Sequence, residues 1–567
     1  MASIKVKDFF NGRFFDIPKY QRGYAWEKQN IRELFDDVSE AIQSNSNHYI
    51  GTIVLSKDDQ DDEKFYVVDG QQRITTITLM MSALIRQLSK EDADYYKRFY
   101  IKEGNKFRLQ PLSRDNHFFI NLLSGNIGEP QNKSQRFLRE AIEEIDFKVK
   151  SIDDKLKFLK SLEKLEVMEF VENSEGDAIR IFQTVNDRGK PLSNMEKAKS
   201  LLIYFSNRYL NKKLDTTIND FFSDIFEIYD DIKHIGEDLN ITLIRNKDFN
   251  EDNFMRYHFV TFSNEDYDPT AAYVLQFLKN SLVKLRNDAK DNDYTKIEDF
   301  INSYIGSLKD FFEAGRRVIE KAQTTPKYYK LFTIINLSAT LYPLVIKLES
   351  LGIIDNNLPS ADRNAYTFLD LVELIDIRVY KTRGTDPKAD IGGFVYSIDT
   401  RKEADIENWL RWFNGAWMLK EQFQSNLYGN IYRNRALNHI FICYCEHLRN
   451  KAFSIEELKK ILSKVPSIEH ILSQTPKFSP RALGFRDLED FITHEDTLGN
   501  LSLLERSINS SIQNKSAIDK VESYGRSTFK ITKKVGSEID DKKGFKKADI
   551  KTRTEELANF CMDIWWC

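Results

Sequence analysis

The 567 residues include 83 Lys and Arg against 87 Asp and Glu, a net charge of −4, with 30% charged and 41% hydrophobic residues. This balance fits a folded chain of two to four domains and excludes a disordered or membrane-embedded one. It also excludes a generic nucleic-acid coat, which needs a large excess of Lys and Arg over the whole surface.

The opening stretch MASIKVKDFFNGRFF lacks a signal-peptide apolar core, and no run approaches the roughly 18 apolar residues of a membrane span. The cysteines, Cys443, Cys445, Cys561 and Cys567, match neither a zinc spacing nor a disulfide framework. A cytoplasmic location with no membrane partner is expected. In DIPKYQRGYAW, Pro18 favours an extended lead-in, and Tyr24 and Trp26 read as core anchors. Arg22, set among aromatics, calls for an anionic partner. Ile31, Leu34, Phe35, Val38 and Ile42 then make one stripe of an amphipathic helix.

His48 to Leu55 reads as a strand, and Phe65 to Val68 as a second, buried one. From Ile74 the period becomes helical: Ile77, Met81, Leu84, Ile85 and Leu88 follow. Between strand and helix stand Asp69, Gly70, Gln71, Gln72 and Arg73, with no apolar side chain among them. A helix start offers unpaired N–H groups and the positive dipole end to phosphate. Gly70 allows close backbone approach, the carboxamides donate and accept, and Arg73 can fork onto phosphate. The plainer alternative has Asp69 capping the helix and the rest solvated.

Phe107 to Leu123 has the pattern of packing, and Leu165 to Val171 that of a strand. Ser174 and Asp177 form a capping pair ahead of Ala178, Ile181, Phe182 and Val185, a helix that Gly189 stops. Ser193 and Glu196 open the next helix with a second capping box. Ile203 to Leu458 is a long succession of helical patterns without a repeat or a catalytic constellation. Within it IDIRVYKTRGTDPKAD, around Arg378 and Arg383, reads as a surface loop, with contact to phosphates or a modified base as the other reading.

The last hundred residues hold SIEHILSQ and, further on, LGNLSLLERSINSSIQNK. Hydrolysis by a ββα-metal (HNH) site needs a base for water, a divalent ion and a group that orients the base. His470 titrates near neutrality unaided, and Glu469 beside it offers a hard oxygen ligand. Asn500 is a candidate to orient the imidazole through its carbonyl, Asn509 a second ligand with His494 as substitute, and Lys520 a contact to the scissile phosphate. From Glu505 to Arg553, 13 Lys or Arg face 7 Asp or Glu, a local excess a phosphate backbone would meet.

DGQQR after a strand closely resembles the signature of the GmrSD-type restriction proteins. Phe182, Asn186, Arg188, Gly189 and Leu192 match that family's F-x-x-x-N-x-R-G-x-x-L pattern. EHI, LGNLSLL, then Asn509, Asn514 and Lys515, with Arg553 to Trp566 as a closing helix, resemble the HNH domain of GmrSD-type and SspE-like defence proteins. The departures are Glu469 where many HNH enzymes carry Asp, Ser473 where the family usually has proline, and Asn509 in place of His.

The resemblance implies an α+β, predominantly helical chain: a ParB/sulfiredoxin-like α/β core in 1–205, a helical linker or substrate-reading region in 206–458, and a ββα-metal (HNH) domain in 459–567. It implies that Arg22, Asp69, Gly70, Gln71, Gln72, Arg73, Asn186 and Arg188 bind GTP or ATP. His470, Asn500 and Lys520 would be catalytic, and Glu469 and Asn509 would hold Mg2+ or Mn2+. The implied activity is an NTP-regulated, metal-dependent DNA endonuclease of the type IV restriction class, with NTPase activity, acting on base- or backbone-modified phage DNA as a homo-oligomer or with a defence-operon partner. The alternatives are a nucleotide-gated DNA-binding sensor with an inactive HNH domain, or an RNA-cleaving toxin.

Overall fold

The computed structural model describes residues 2–18, 21, 23–44, 49–58, 60–111, 114–172, 193–291, 293–360, 366–475 and 478–566. They form two compact units, one of residues 1–234 with 270–312, the other of residues 235–269 with 313–567. The stretch 206–458 therefore contributes to both. The elements are mainly helical, with one small mixed sheet, in agreement with the expected α+β class. No helix among the described residues is long and apolar enough to cross a membrane.

The first unit is built on six strands: β1 (Ala2–Lys5), β2 (Phe14–Ile17), β3 (Tyr49–Lys57), β4 (Lys64–Asp69), β5 (Leu109–Pro111) and β6 (Glu166–Glu172). Their order across the sheet is β1-β6-β3-β4-β2-β5. β3 and β4 pair antiparallel with Leu55 opposite Val67, whereas β3 with β6 and β4 with β2 run parallel. Helices α1 (Lys28–Ser44), α2 (Gln71–Ile85) and α3 (Lys133–Lys150) complete its core. α2 is buried around nearly its whole circumference, as a helix apolar on all sides must be. Its polar residues stay satisfied because the Thr76 and Thr78 hydroxyls donate to the Gln72 and Ile74 carbonyls, each at 2.8 Å.

α2 begins at Gln71, three residues ahead of its apolar period, so Gln71, Gln72 and Arg73 are the first turn of the helix and not part of a loop before it. Gly70 makes this possible with φ +87°; a Cβ there would stand 2.9 Å from Ile53 Cγ1 and 3.0 Å from the Thr52 carbonyl oxygen. Asp69 remains the last residue of β4 and does not cap α2. The Ser193–Glu196 capping box forms as expected and opens α4 (Asn194–Tyr209). The Ser174–Asp177 pair, the helix after it and the NDRG turn lie outside the described residues.

In the second unit α5 (Leu437–Arg449) precedes a two-stranded antiparallel ribbon, β7 (Pro466–His470) and β8 (Leu501–Glu505). Register places His470 opposite Leu501 and Glu469 opposite Ser502. α6 (Leu488–Glu495) lies between the strands; α7 (Arg506–Ile512), α8 (Ala517–Arg526) and α9 (Lys547–Trp565) follow β8. Phe485, Phe491, Leu504, Tyr524 and Ile550 form their common core.

The LGN turn before β8 is clamped to α9. A Cβ at Gly499 would stand 1.9 Å from the Ile550 carbonyl oxygen, so only glycine fits. Gly499 N–H donates to Thr554 Oγ1 at 3.0 Å, and Arg553 Nη1 donates to the carbonyls of Leu498, Gly499 and Leu501. Burial pushes the Arg553 pKa down to about 10. Arg378, expected on a surface loop, is instead buried, donating to the Met418 carbonyl with its guanidinium 3.8 Å from the Trp566 ring centroid. Arg383 is exposed, against Trp417. Cys443, Cys445 and Cys561 are unpaired thiols.

Candidate functional site

In the first unit the strand-to-helix junction is held from inside. Gln72 is buried; its Oε1 accepts from Ala25 N–H at 2.7 Å and its Nε2 donates to the Gly23 carbonyl at 3.1 Å. Its carboxamide thus fixes the 23–25 loop and is not open to a ligand. Arg73 Nη1 donates to the Thr52 carbonyl, with the guanidinium lying over Gly51, where a Cβ would come within 2.6 Å of it. Burial lowers the Arg73 pKa, opposed by the charge of Asp69.

Gln71, Gln72, Gln21, Tyr24 and Thr75 line a cavity of about 30 Å3, room for about one water. The start of α2 carries no side-chain cap for its first amides. Arg22, Asn186 and Arg188 lie outside the described residues.

In the second unit His470 ends β7. Its Nε2 lies 2.9 Å from Asp496 Oδ1, and its imidazole centroid is 4.5 Å from that of Tyr432. Asn430 Nδ2 donates to Asp496 Oδ2 at 3.0 Å, Gln474 Nε2 donates to Asp496 Oδ1 at 3.1 Å, and Ile431 N–H donates to the Asp496 carbonyl at 3.0 Å. The imidazole is 9% exposed. Burial sets its pKa below the ordinary histidine value, and the hydrogen bond and charge of Asp496 pull the other way. His470 is thus held by a carboxylate, and burial favours its neutral form.

The other expected partners are placed differently. Asn500, fully buried, spends its carboxamide on backbone: Oδ1 accepts from Leu472 N–H at 2.8 Å, and Nδ2 donates to the Leu472 and Glu495 carbonyls. It fixes the chain on either side of the imidazole; the side chain that orients the ring is Asp496. Glu469, 4% exposed, accepts from Lys520 Nζ at 2.7 Å and from Tyr524 OH at 2.8 Å. Consecutive strand residues point to opposite faces, so Glu469 turns inward as His470 turns out.

Lys520, 1% exposed, also donates to the His470 carbonyl at 2.7 Å; it is a core residue and not a phosphate contact. Asn509 Nδ2 reaches back to Ser467 Oγ and the Ile468 carbonyl, tying α7 to β7. Ser473 Oγ donates to Asn514 Oδ1 at 2.7 Å. His494 bonds within its own helix, to Asp490 and Thr493.

This donor set does not fit the expected divalent ion. Glu469 is committed to an ammonium and a phenol on the far face of the strand, and among the described residues no three of His, Cys, Asp and Glu gather as a metal site. Asp496, Asn430 and Tyr432 gave no sequence signal; Asp496 lies 26 residues from His470, and the other two precede the ribbon.

The profile of the GmrSD restriction endonuclease N-terminal domain matches residues 6–203. That of the GmrSD restriction endonuclease C-terminal domain matches residues 417–560, a span that takes in Asn430 and Tyr432 as well as the ribbon. Comparison with individual characterised proteins gives no match. With the two domains in the family's order and together covering more than half of its length, the chain belongs to the GmrSD-type restriction endonucleases.

Proposed function

We propose that this chain cuts phage DNA, modified in base or backbone, by hydrolysing phosphodiesters at His470, under the control of GTP or ATP bound at the start of α2. The observation that carries the reading is the imidazole held by Asp496 at the end of β7 and kept neutral by burial. With Nε2–H donating to the carboxylate, the lone pair is on Nδ1, the nitrogen that takes a proton from the attacking water. Asp496 then steadies the imidazolium, and the Tyr432 ring shields one side of it from bulk water. Dependence on Mg2+ or Mn2+ belongs to this reading through the family resemblance alone, since no donor set for the ion gathers among the described residues. For nucleotide binding the support is the uncapped first turn of α2 behind the tight Gly70 turn.

The test is cleavage of phage and plasmid DNA by the full chain with Mg2+, with and without GTP or ATP. His470→Ala should slow cutting by about 10²–10⁴, the range for a general base. A variant that cuts as fast as the parent removes the base assignment. One observation favours a second reading, a nucleotide-gated DNA sensor that binds without cutting: Glu469 is sealed against Lys520. DNA binding that is insensitive to EDTA, with no cleavage by the parent in Mg2+ or Mn2+, selects that reading.

A further inference from the structure

A cleft of about 630 Å3 opens in the second unit between the 332–342 segment, the 380–386 segment and the side chains of Arg433 and Arg435. This volume is in the range of small-molecule sites, roughly 300–1,000 Å3. Two of its walls are wound as π-helix, Lys330–Ile334 and Asp376–Thr382, a conformation rare in general and frequent at functional sites. Lys381, from the second π segment, ties it to the chain just after the first: its Nζ donates to the Asn336 carbonyl at 2.8 Å and to Ser338 Oγ at 3.1 Å.

Tyr380 is one of the residues lining the cleft, and its hydroxyl is buried beneath the surface without a hydrogen-bond partner. An orphan donor of that kind costs free energy unless something binds it. At the rim Arg433 and Arg435 are exposed, and neither has an ion-pair partner among the described residues. Acidic neighbours are Asp386, which accepts from Thr340 Oγ1 at 2.7 Å, and the buried Asp376, 3.7 Å from Lys381 Nζ. With Lys381 paired to Asp376, Arg433 and Arg435 outnumber Asp386 at the mouth and give it a positive field.

The loop that carries the arginines also walls the hydrolytic site. Tyr432, against the His470 imidazole, is the immediate neighbour of Arg433, a Cα separation of ~3.8 Å. Asn434 Nδ2 donates to Thr382 Oγ1 at 3.1 Å, joining the same loop to the second π segment. Adjacent residues of one loop thus border the imidazole on one side and the mouth of the cleft on the other.

We infer that the cleft is a nucleotide subsite that receives one unstacked nucleotide of the DNA strand beside the scissile phosphate. Arg433 and Arg435 grip flanking phosphates, the entering base uncovers the buried Tyr380 hydroxyl and bonds it through one edge, and the Phe332–Tyr342 side supplies the apolar floor. The inference rests on His470 as the cutting centre.

The test uses the full chain carrying His470→Ala, so that DNA is bound and not cut, and a duplex with 2-aminopurine at successive positions. At one position binding should raise the 2-aminopurine fluorescence. Arg433→Ala with Arg435→Ala should abolish the rise, weaken binding about tenfold or more at 0.15 M salt and lower the salt slope by about 2, one per phosphate contact. Both arginines are exposed, so the double variant should keep the parent's urea midpoint. Tyr380→Phe should reduce discrimination between bases by about two- to tenfold with the slope unchanged. Unchanged affinity and slope in the double variant, or a dark 2-aminopurine at every position, overturns the inference.

Titration with deoxyadenosine monophosphate separates strand from free nucleotide: tight dAMP binding that the double variant loses, with DNA affinity intact, also overturns it. Because every protein used already lacks His470, failure of the hydrolytic reading appears only in the cutting assay and leaves these titrations unmoved.

Discussion

Lys520→Met is the substitution that decides what Glu469 does. The ammonium is 1% exposed and bonds Glu469 Oε1 at 2.7 Å and the His470 carbonyl at 2.7 Å. Methionine fills its volume but leaves a carboxylate that is 4% exposed with the Tyr524 hydroxyl as its remaining partner in this cluster. Breaking a buried pair from one side costs about 3–5 kcal/mol, because the surviving charge stays out of water.

Glu469→Gln should cost a similar amount by stranding the ammonium, whereas Glu469→Leu combined with Lys520→Met should recover most of the loss. Urea unfolding followed by tryptophan fluorescence reads this as a midpoint lowered by on the order of 1 M for each single variant. Cleavage measured at a temperature where the variants are folded should survive Glu469→Gln. If Glu469→Gln unfolds at the parent's midpoint and yet loses Mg2+-dependent cutting, Glu469 is a ligand and the structural assignment is wrong.

The pH–rate profile of the parent should rise with pH through a value below the ordinary histidine pKa and flatten by neutrality, because only the neutral imidazole accepts a proton and burial favours that form. Asp496→Asn removes the group that pulls this pKa up, so the acidic limb should move to lower pH while the rate falls, by no more than the 10²–10⁴ or so of His470→Ala; an unmoved limb refutes the pairing. Gly499→Ala should destabilise the second unit by about 1–3 kcal/mol or more, since its Cβ falls 1.9 Å from the Ile550 carbonyl oxygen; urea unfolding measures it. Gln72→Ala should cost about 1–3 kcal/mol in the first unit by leaving Ala25 N–H and the Gly23 carbonyl unpaired, read as faster amide exchange in the 23–25 loop.

Local chemistry was legible in the sequence, and non-local space was not. The Ser193–Glu196 box and the strands around Val54 and Val67 follow from short-range pattern, and each forms. Gly70 and Gly499 were visible as glycines, but the reason for each is an atom far away in sequence, Ile53 Cγ1 in one case and the Ile550 carbonyl in the other.

Strand alternation alone already argues that Glu469 and His470 face opposite ways, so a shared role as base and ligand ran against the pleat. Arg378 illustrates the opposite failure: a charged residue beside others reads as surface, yet stacking on Trp566 and bonding a carbonyl make burial tolerable. Arg73 follows the same logic, turned onto the Thr52 carbonyl where an open phosphate fork was expected.

The arrangement around His470 explains why the family match reaches back to residue 417 and does not start at the ribbon. Five-residue strands with a seven-residue helix bury too little to fix a side chain by themselves, so the imidazole is oriented by groups supplied from elsewhere. Asn500 and Arg553 set the backbone of the LGN turn, which fixes Asp496 four residues earlier. Asn430 and Gln474 then hold its carboxylate, and Tyr432 closes over the ring. Each member is weak evidence of chemistry alone, a core amide or a surface carboxylate. Their convergence on one imidazole is what sets this residue apart from a histidine that merely fills a core.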